Sequence, residues 1–220
     1  MIAPERIALV FDMDNTILGS HIDFLAIRRD VTAILRAAGA TAEPDDTLLR
    51  RAIAELVACG SAHDRAHGTT LVPQLWTVIE AYEAHGLTDA AAIDGAPRVL
   101  GMLRDQGYRL AILTNNGRAP ALRALDAAGL SPFVEAVVAR GDVPALKPAG
   151  DGVTEAVRRL GPVERTYVIG DSWIDGAAAA ATGARFISYR RSPEELEPRG
   201  VRPWRVILHL DELLTLSFAE

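Results

Sequence analysis

The chain has 220 residues, of which 49% are hydrophobic and 24% charged, with a formal net charge of −6. That is the size of one ordinary domain carrying a substantial insertion, and the balance of a chain with a real core, which excludes disordered and collagen-like classes. The acidic balance offers no uniform basic field for a nucleic-acid backbone, no apolar run is long enough for a bilayer, and the lone Cys59 cannot close an internal disulfide.

The first segment, Met-Ile-Ala-Pro-Glu-Arg, leads into a short apolar run at Ile7 to Phe11 without a basic lead or a signal-peptide core. The expected location is therefore cytoplasmic. Arg6 to Asp12 is predicted as a buried strand: an apolar run of strand-forming residues that stops abruptly in polar ones. About 95 residues then pass before the next strand signal, where a single crossover helix needs about a dozen. Within that gap, residues 21–38, 44–59 and 71–85 carry apolar residues at helical spacing, with breaks predicted at Gly39 to Asp46 and Gly60 to Thr70. A small helical bundle, residues 19–94, is the expectation, and its short exits would let it move as a lid. Further strands are predicted at Arg109 to Thr114, Glu135 to Ala139, Thr166 to Gly170 and Ala184 to Ser188, with Val206 to Leu210 as a candidate sixth. Strands alternating with amphipathic helical stretches imply an α/β fold: a Rossmann-like parallel-sheet core, residues 1–18 and 95–220, interrupted by the helical insertion.

In such a sheet, ligands bind beyond the carboxyl ends of the strands. There the chain places Asp12 and Asp14 after the first strand, Thr114, Asn115 and Asn116 after the second, and Asp171 and Asp175 after the fourth; Lys147 follows the third. Lys147 is the chain's one lysine among 23 basic residues, so it is poorly explained as surface decoration. Lying between Leu146 and Pro148, it fits neither a phosphate-binding Gly-Lys-Ser/Thr loop nor a kinase Val-Ala-Ile-Lys strand. Carboxylates converging on one edge repel one another and call for a cation, and oxygen-only donors favour Mg²⁺. An Asp beside a phosphorus atom can attack it, and a second acid two residues on can protonate the leaving oxygen and then activate water. Thr114 and Lys147 offer a hydroxyl, backbone N–H groups and a compact positive charge to the phosphoryl oxygens.

At these residues the chain resembles the haloacid dehalogenase superfamily. Phe11-Asp12-Met13-Asp14-Asn15-Thr16 is similar to that family's Asp-x-Asp-x-Thr motif, Leu113-Thr114-Asn115 to its second, Lys147-Pro148 to its third, and Gly170-Asp171-Ser172 with Asp175 to its fourth. The insertion falls where the phosphatase-type, phosphoglycolate phosphatase-like branch carries its helical C1 cap. The resemblance implies Asp12 as nucleophile and Asp14 as acid/base. It implies Mg²⁺ held by Asp12, the Asp14 main-chain carbonyl and Asp171, with Asp175 supporting the metal or orienting Lys147. Thr114 and Lys147, with Asn115 and Arg118 beside them, would hold the phosphoryl group of a small phosphorylated metabolite. Neither nucleic acid nor a membrane is expected as a partner, and the chain is expected to act as a monomer or homodimer.

Asp14 argues against dehalogenation, and a chain without lysine between residues 19 and 94 argues against a Schiff-base phosphonatase. A phosphosugar mutase shares both acids and stays open as an alternative. A non-enzymatic phosphoryl-accepting module is the rival from another class; such modules are about half this length and lack both the cap and the Asp-x-Asp-x-Thr pattern. His63-Asp64-Arg65-Ala66-His67 invites a zinc reading, but its acid is Asp and not Glu, and Gly60 and Gly68 bracket it. The segment is read as a cap loop, either reaching substrate or merely solvated. Cys59 is expected to be a small buried residue, and Trp173 either packing or bordering the pocket.

Overall fold

Ile7–Asp12 form β1, and all six residues are buried. A strand shielded on both faces needs no polar alternation, which is why its sequence is a continuous apolar run. The computed structural model describes residues 2–218. After β1 come β2 (Leu18–Gly19), four helices α1 (Phe24–Ala37), α2 (Asp45–Leu48), α3 (Ile53–His67) and α4 (Leu71–Gly86), and then β3 (Ala91–Ala92). The remainder alternates: α5 (Ala96–Asp105), β4 (Arg109–Gly117), α6 (Arg118–Ala127), β5 (Ala136–Arg140), α7 (Asp151–Leu160), β6 (Arg165–Gly170), α8 (Trp173–Thr182), β7 (Arg185–Tyr189), α9 (Pro193–Leu196) and β8 (Arg205–Ile207).

The main sheet has six strands in the order β5-β4-β1-β6-β7-β8, and its neighbours pair in parallel. This is the Rossmann-like α/β core that the alternation predicts. Ala8, Val10, Ala111, Val138 and Val168 pack with Val153, Ala156 and Leu160 of α7 and with Ala178 and Ala179 of α8. The intervening residues Leu9, Phe11, Leu110 and Ile112 are buried as well, so both faces are covered. The candidate sixth strand exists but is short. Only Arg205–Ile207 pairs with β7, and the chain turns into a 3₁₀ helix at Leu210–Thr215.

Backbone proximity divides the chain into two compact units: residues up to Ser20 together with those from Ala90 onward, and His21–Asp89. β2 and β3 pair antiparallel, a feature too short to show as periodicity. Within the helical unit, α1 buries Ile27, Val31 and Leu35, and α4 buries Leu75 and Ile79. Asp23 starts α1 by accepting the N–H groups of Leu25 and Ala26 at 3.1 and 2.8 Å.

Two expectations about this unit are corrected. The stretch 44–59 is not one helix, because Ala52 is extended and Glu55 accepts its N–H at 2.7 Å, opening a new helix at Ile53. Nor does Gly60 break the chain. A Cβ there would lie 2.7 Å from Leu75 Cδ1, so this glycine permits close packing inside α3, which runs on to His67 and ends at Gly68 with φ 67°. The segment His63 to His67 is thus helical and not a loop. Among the described residues, no helix is long and apolar enough to cross a membrane.

Candidate active site

The site lies at the carboxyl ends of β1, β4 and β6, three adjacent strands of the sheet, with the loop after β5 folded in. Asp12 closes β1, and its strand partner is Leu113, one residue before Thr114. The chain then turns tightly: Asn15 adopts φ 59°, and the N–H groups of Ile17 and Leu18 both donate to the Met13 carbonyl. Asp12 and Asp14 are each only 7% exposed. From the other side, Ser172 begins α8, and Asp175 one turn in reaches back to accept the Ser172 N–H at 3.1 Å. That return needs a glycine in its path, since a Cβ on Gly170 would lie 2.4 Å from Asp175 Cγ.

Lys147 joins these pieces. Its ammonium donates to Asp12 Oδ1, to Asp175 Oδ1 at 2.7 Å and to the Leu113 carbonyl at 3.1 Å, which engages all three of its protons. The loop is held at its backbone by Asn115. The Asn115 amide accepts the Lys147 N–H at 3.0 Å and donates to the Lys147 carbonyl at 2.9 Å.

Asp12, Asp14, Asp171 and Asp175 set against a single lysine leave an excess of acid. Burial, then the adjoining Asp12 carboxylate, push Asp14 up to about 7. Burial first and Asp12 second likewise raise the Asp171 and Asp175 pair. Burial alone would lower Lys147, but Asp12 and Asp175 outweigh it and hold the ammonium above its ordinary value. Carboxylate oxygens of Asp12, Asp171 and Asp175 lie within 4.8 Å of one another, and this hard, oxygen-only donor set with surplus negative charge suits Mg²⁺.

Asp12, Asp14, Thr114, Lys147, Asp171 and Asp175 are thus brought to one edge. Thr114 is buried, and its hydroxyl accepts the Asn116 N–H at 3.1 Å. Arg118 turns elsewhere, to Asp142 Oδ2 at 2.6 Å and the Val137 carbonyl at 3.1 Å. Trp173 packs against the core beneath the Arg199 guanidinium, 4.7 Å from its ring centre. Sequence reasoning overlooked two contacts. Asn116 Nδ2 donates to Asp14 Oδ2 at 2.7 Å, and Arg191 Nε donates to the Asp171 carbonyl at 3.2 Å. The sequence places Asn116 on the same edge, after the Thr-Asn pair, without naming its partner; nothing in Arg190-Arg191 marks the second.

In the helical unit, His63 and His67 stack with ring centres 4.2 Å apart and do not converge on a point. Asp64 instead accepts the Leu71 and Val72 N–H groups at 2.7 and 2.9 Å, and so caps α4. Cys59 is half-buried, with the Arg51 guanidinium at 3.1 Å from its sulfur.

A family model described as haloacid dehalogenase-like hydrolase matches residues 8–183. A phosphoglycolate phosphatase of Caulobacter vibrioides is 32% identical over 203 residues, covering 87% of this chain and 83% of that relative. A pyrophosphatase of Halalkalibacterium halodurans is 29% identical over 167 residues, covering 74% of this chain and 69% of its own. Among solved structures, a hydrolase from Pseudomonas syringae superimposes with a TM-score of 0.69 at 21% identity, covering 94% of this chain and 96% of that one, which supports the fold.

Proposed function

Because the chain belongs to the haloacid dehalogenase-like hydrolases, we propose that it is a Mg²⁺-dependent phosphatase that hydrolyses a small phosphate monoester, phosphoglycolate or one of similar size and charge, through a phospho-aspartate on Asp12. The observation that carries this reading is Lys147, which bridges Asp12 and Asp175 from a loop 135 and 28 residues away in sequence. A buried lysine clasped by two buried carboxylates carries a desolvation cost that an all-apolar packing of the same three positions would avoid, so the cluster is better explained by chemistry than by folding.

In this reading an Asp12 oxygen attacks phosphorus, forming a P–O bond as the ester P–O bond breaks, and Asp14 hands its proton to the leaving oxygen. Water then attacks the phosphorus of phospho-Asp12 while Asp14 takes up its proton, and phosphate leaves with Asp12 restored. The elevated Asp14 supports this role, since an acid near 7 can give and recover a proton at neutral pH. Lys147 holds Asp12 in place and sets positive charge beside the phosphoryl oxygens, and Thr114 offers its hydroxyl. Mg²⁺, held by Asp12, the Asp14 main-chain carbonyl and Asp171 with Asp175 in support, would neutralise phosphoryl charge. We assign Asn115 to the phosphate cradle through its hold on the Lys147 loop, and the helical unit to the C1 cap by its place in the sequence between Asp14 and Thr114. Cytoplasmic action on a soluble metabolite fits this reading.

The test is phosphate release from 2-phosphoglycolate, pyrophosphate, hexose phosphates and p-nitrophenyl phosphate, with and without Mg²⁺, for the wild type and Asp12→Asn. Mg²⁺-dependent release that falls at least about 10³-fold in the variant is expected. Isomerisation of a hexose phosphate without net release would replace the phosphatase reading with a mutase. Phosphate release that persists in Asp12→Asn would overturn the nucleophile assignment.

A further inference from the structure

We propose that Asn116 is a positioning residue for the proton transfers made by Asp14; the inference rests on the phosphatase reading above. Asn116 lies two residues beyond Thr114, where the pairing of β4 with β5 shifts register between Leu113 and Gly117. That irregularity lifts the segment out of the sheet ladder and aims its side chain across the edge towards β1. The Asn116 N–H is tied to Thr114 Oγ1 at 3.1 Å, which fixes the base of the side chain. Its Nδ2 donates to Asp14 Oδ2 at 2.7 Å across 102 residues of sequence, and both residues are buried.

The consequence follows from carboxyl chemistry. A protonated carboxyl has one proton for two oxygens, and an oxygen already receiving an N–H hydrogen bond is the poorer place for it. With the Asn116 amide on Oδ2, the proton belongs on Oδ1. That oxygen is buried and completes no hydrogen bond, and the buried Ser20 hydroxyl likewise completes none. An orphaned buried oxygen costs stability unless a ligand meets it, and the leaving oxygen of a bound ester is the partner it lacks. Asn116 therefore sorts the two oxygens: Oδ2 is fixed to the protein, and Oδ1 is kept for substrate. In the first half-reaction the Oδ1 proton goes to the departing alkoxide as the Asp12–phosphorus bond forms. In the second, Oδ1 takes a proton from the attacking water as the Asp12–phosphorus bond breaks. The amide neither gains nor loses a proton in either half and touches no reacting atom.

This role predicts dependence on the leaving group, which a merely structural role would not produce. An alkoxide leaves poorly without a proton, whereas p-nitrophenolate needs none. The experiment measures first-turnover release of leaving group, enzyme in excess with Mg²⁺, for the wild type, Asn116→Asp and Asn116→Ser. Its substrates are p-nitrophenyl phosphate and whichever alkyl phosphate the wild type turns over, 2-phosphoglycolate first. Release from the alkyl ester is expected to slow about 10- to 100-fold in both variants, against less than about threefold for the aryl ester. Thermal melting shows which variants are folded, and Asn116→Ser carries the test if the added carboxylate of Asn116→Asp prevents folding. Equal slowing of both esters, or an unchanged alkyl rate, overturns the assignment. A wild type that cleaves neither ester overturns the phosphatase reading itself, and this inference with it.

Discussion

The two units carry clusters that look alike on paper and behave differently in space. At the sheet edge, Lys147 meets Asp12, Leu113 and Asp175 across 135, 34 and 28 residues, and Asn116 meets Asp14 across 102. In the helical unit, the ionisable run from His63 to His67 spends itself nearby. Asp64 meets Thr69, Leu71 and Val72 within 8 residues, Arg65 meets Ser61 within 4, and His67 meets the His63 carbonyl within 4. Local contacts of that kind complete a helix end or a turn. Polar groups drawn together from distant segments and buried cost free energy, and persist where the assembled geometry has a use. Sequence range and burial, more than residue type, separate the two clusters.

The sharpest way to break that contrast is at Lys147. Lys147→Met keeps most of the volume and removes the charge, leaving Asp12 and Asp175 buried with no cation. Removing one partner of a buried pair costs about 3–5 kcal/mol, so metal-free Lys147→Met should melt well below the wild type. Added Mg²⁺ should stabilise the variant more than the wild type, because a second cation then meets the exposed need. Turnover should fall about 10²-fold or more. Differential scanning calorimetry with EDTA or Mg²⁺ checks the first two, and an equal response of both proteins to Mg²⁺ would sink the idea that the lysine offsets this acid cluster.

Asp14 gives the next largest effect, and it has a pH signature. Its folded pKa of about 7 lies above the ordinary 3.8, so between those values the folded chain holds a proton that the unfolded chain has lost. The contribution of Asp14 to stability, read in EDTA, therefore falls as pH rises from about 4 to about 7, and it stays low above that. Asp14→Asn has no such proton. The variant should match the wild type near pH 4 and exceed it by on the order of 2–4 kcal/mol at pH 8. A gap that does not change with pH would show that Asp14 is not strained by burial.

Much of this edge was legible because the signals were local. Apolar runs closed by acids mark β1 and β6, and a lone lysine in an arginine-rich chain marks itself. What was not legible is pairing. Nothing in Asn116 names Asp14, and Arg191, the partner of the Asp171 carbonyl, belongs to a segment past β7 with no motif. Arg118 illustrates the converse: a basic residue beside the site in sequence is directed to Asp142, in the turn after β5, whose pairing with Arg118 and with Arg159 of α7 no pattern reveals. In the helical unit, Gly60 misleads because glycine signals both a break and a close approach, and only the neighbouring Leu75 distinguishes them.

Within the helical unit the contrast predicts small and purely structural effects. Asp64→Ala removes the acceptor for two N–H groups at the start of α4 and should lower the melting temperature by about 2–5 °C with kcat unchanged. His63→Ala with His67→Ala should do less still. The two rings stack on one face of α3, and the acid between them is committed to α4, so the set lacks the convergent third ligand that a zinc site requires. The double variant should melt within about 2 °C of the wild type, since His67 is exposed and His63 only half-buried, and substitutions outside the core usually cost little. Metal analysis should find the same zinc content in both proteins, and turnover with Mg²⁺ should be equal. One equivalent of zinc lost with the histidines, and activity lost alongside it, would move the chemistry from the sheet edge to this helix and dissolve the distinction between assembled and local clusters.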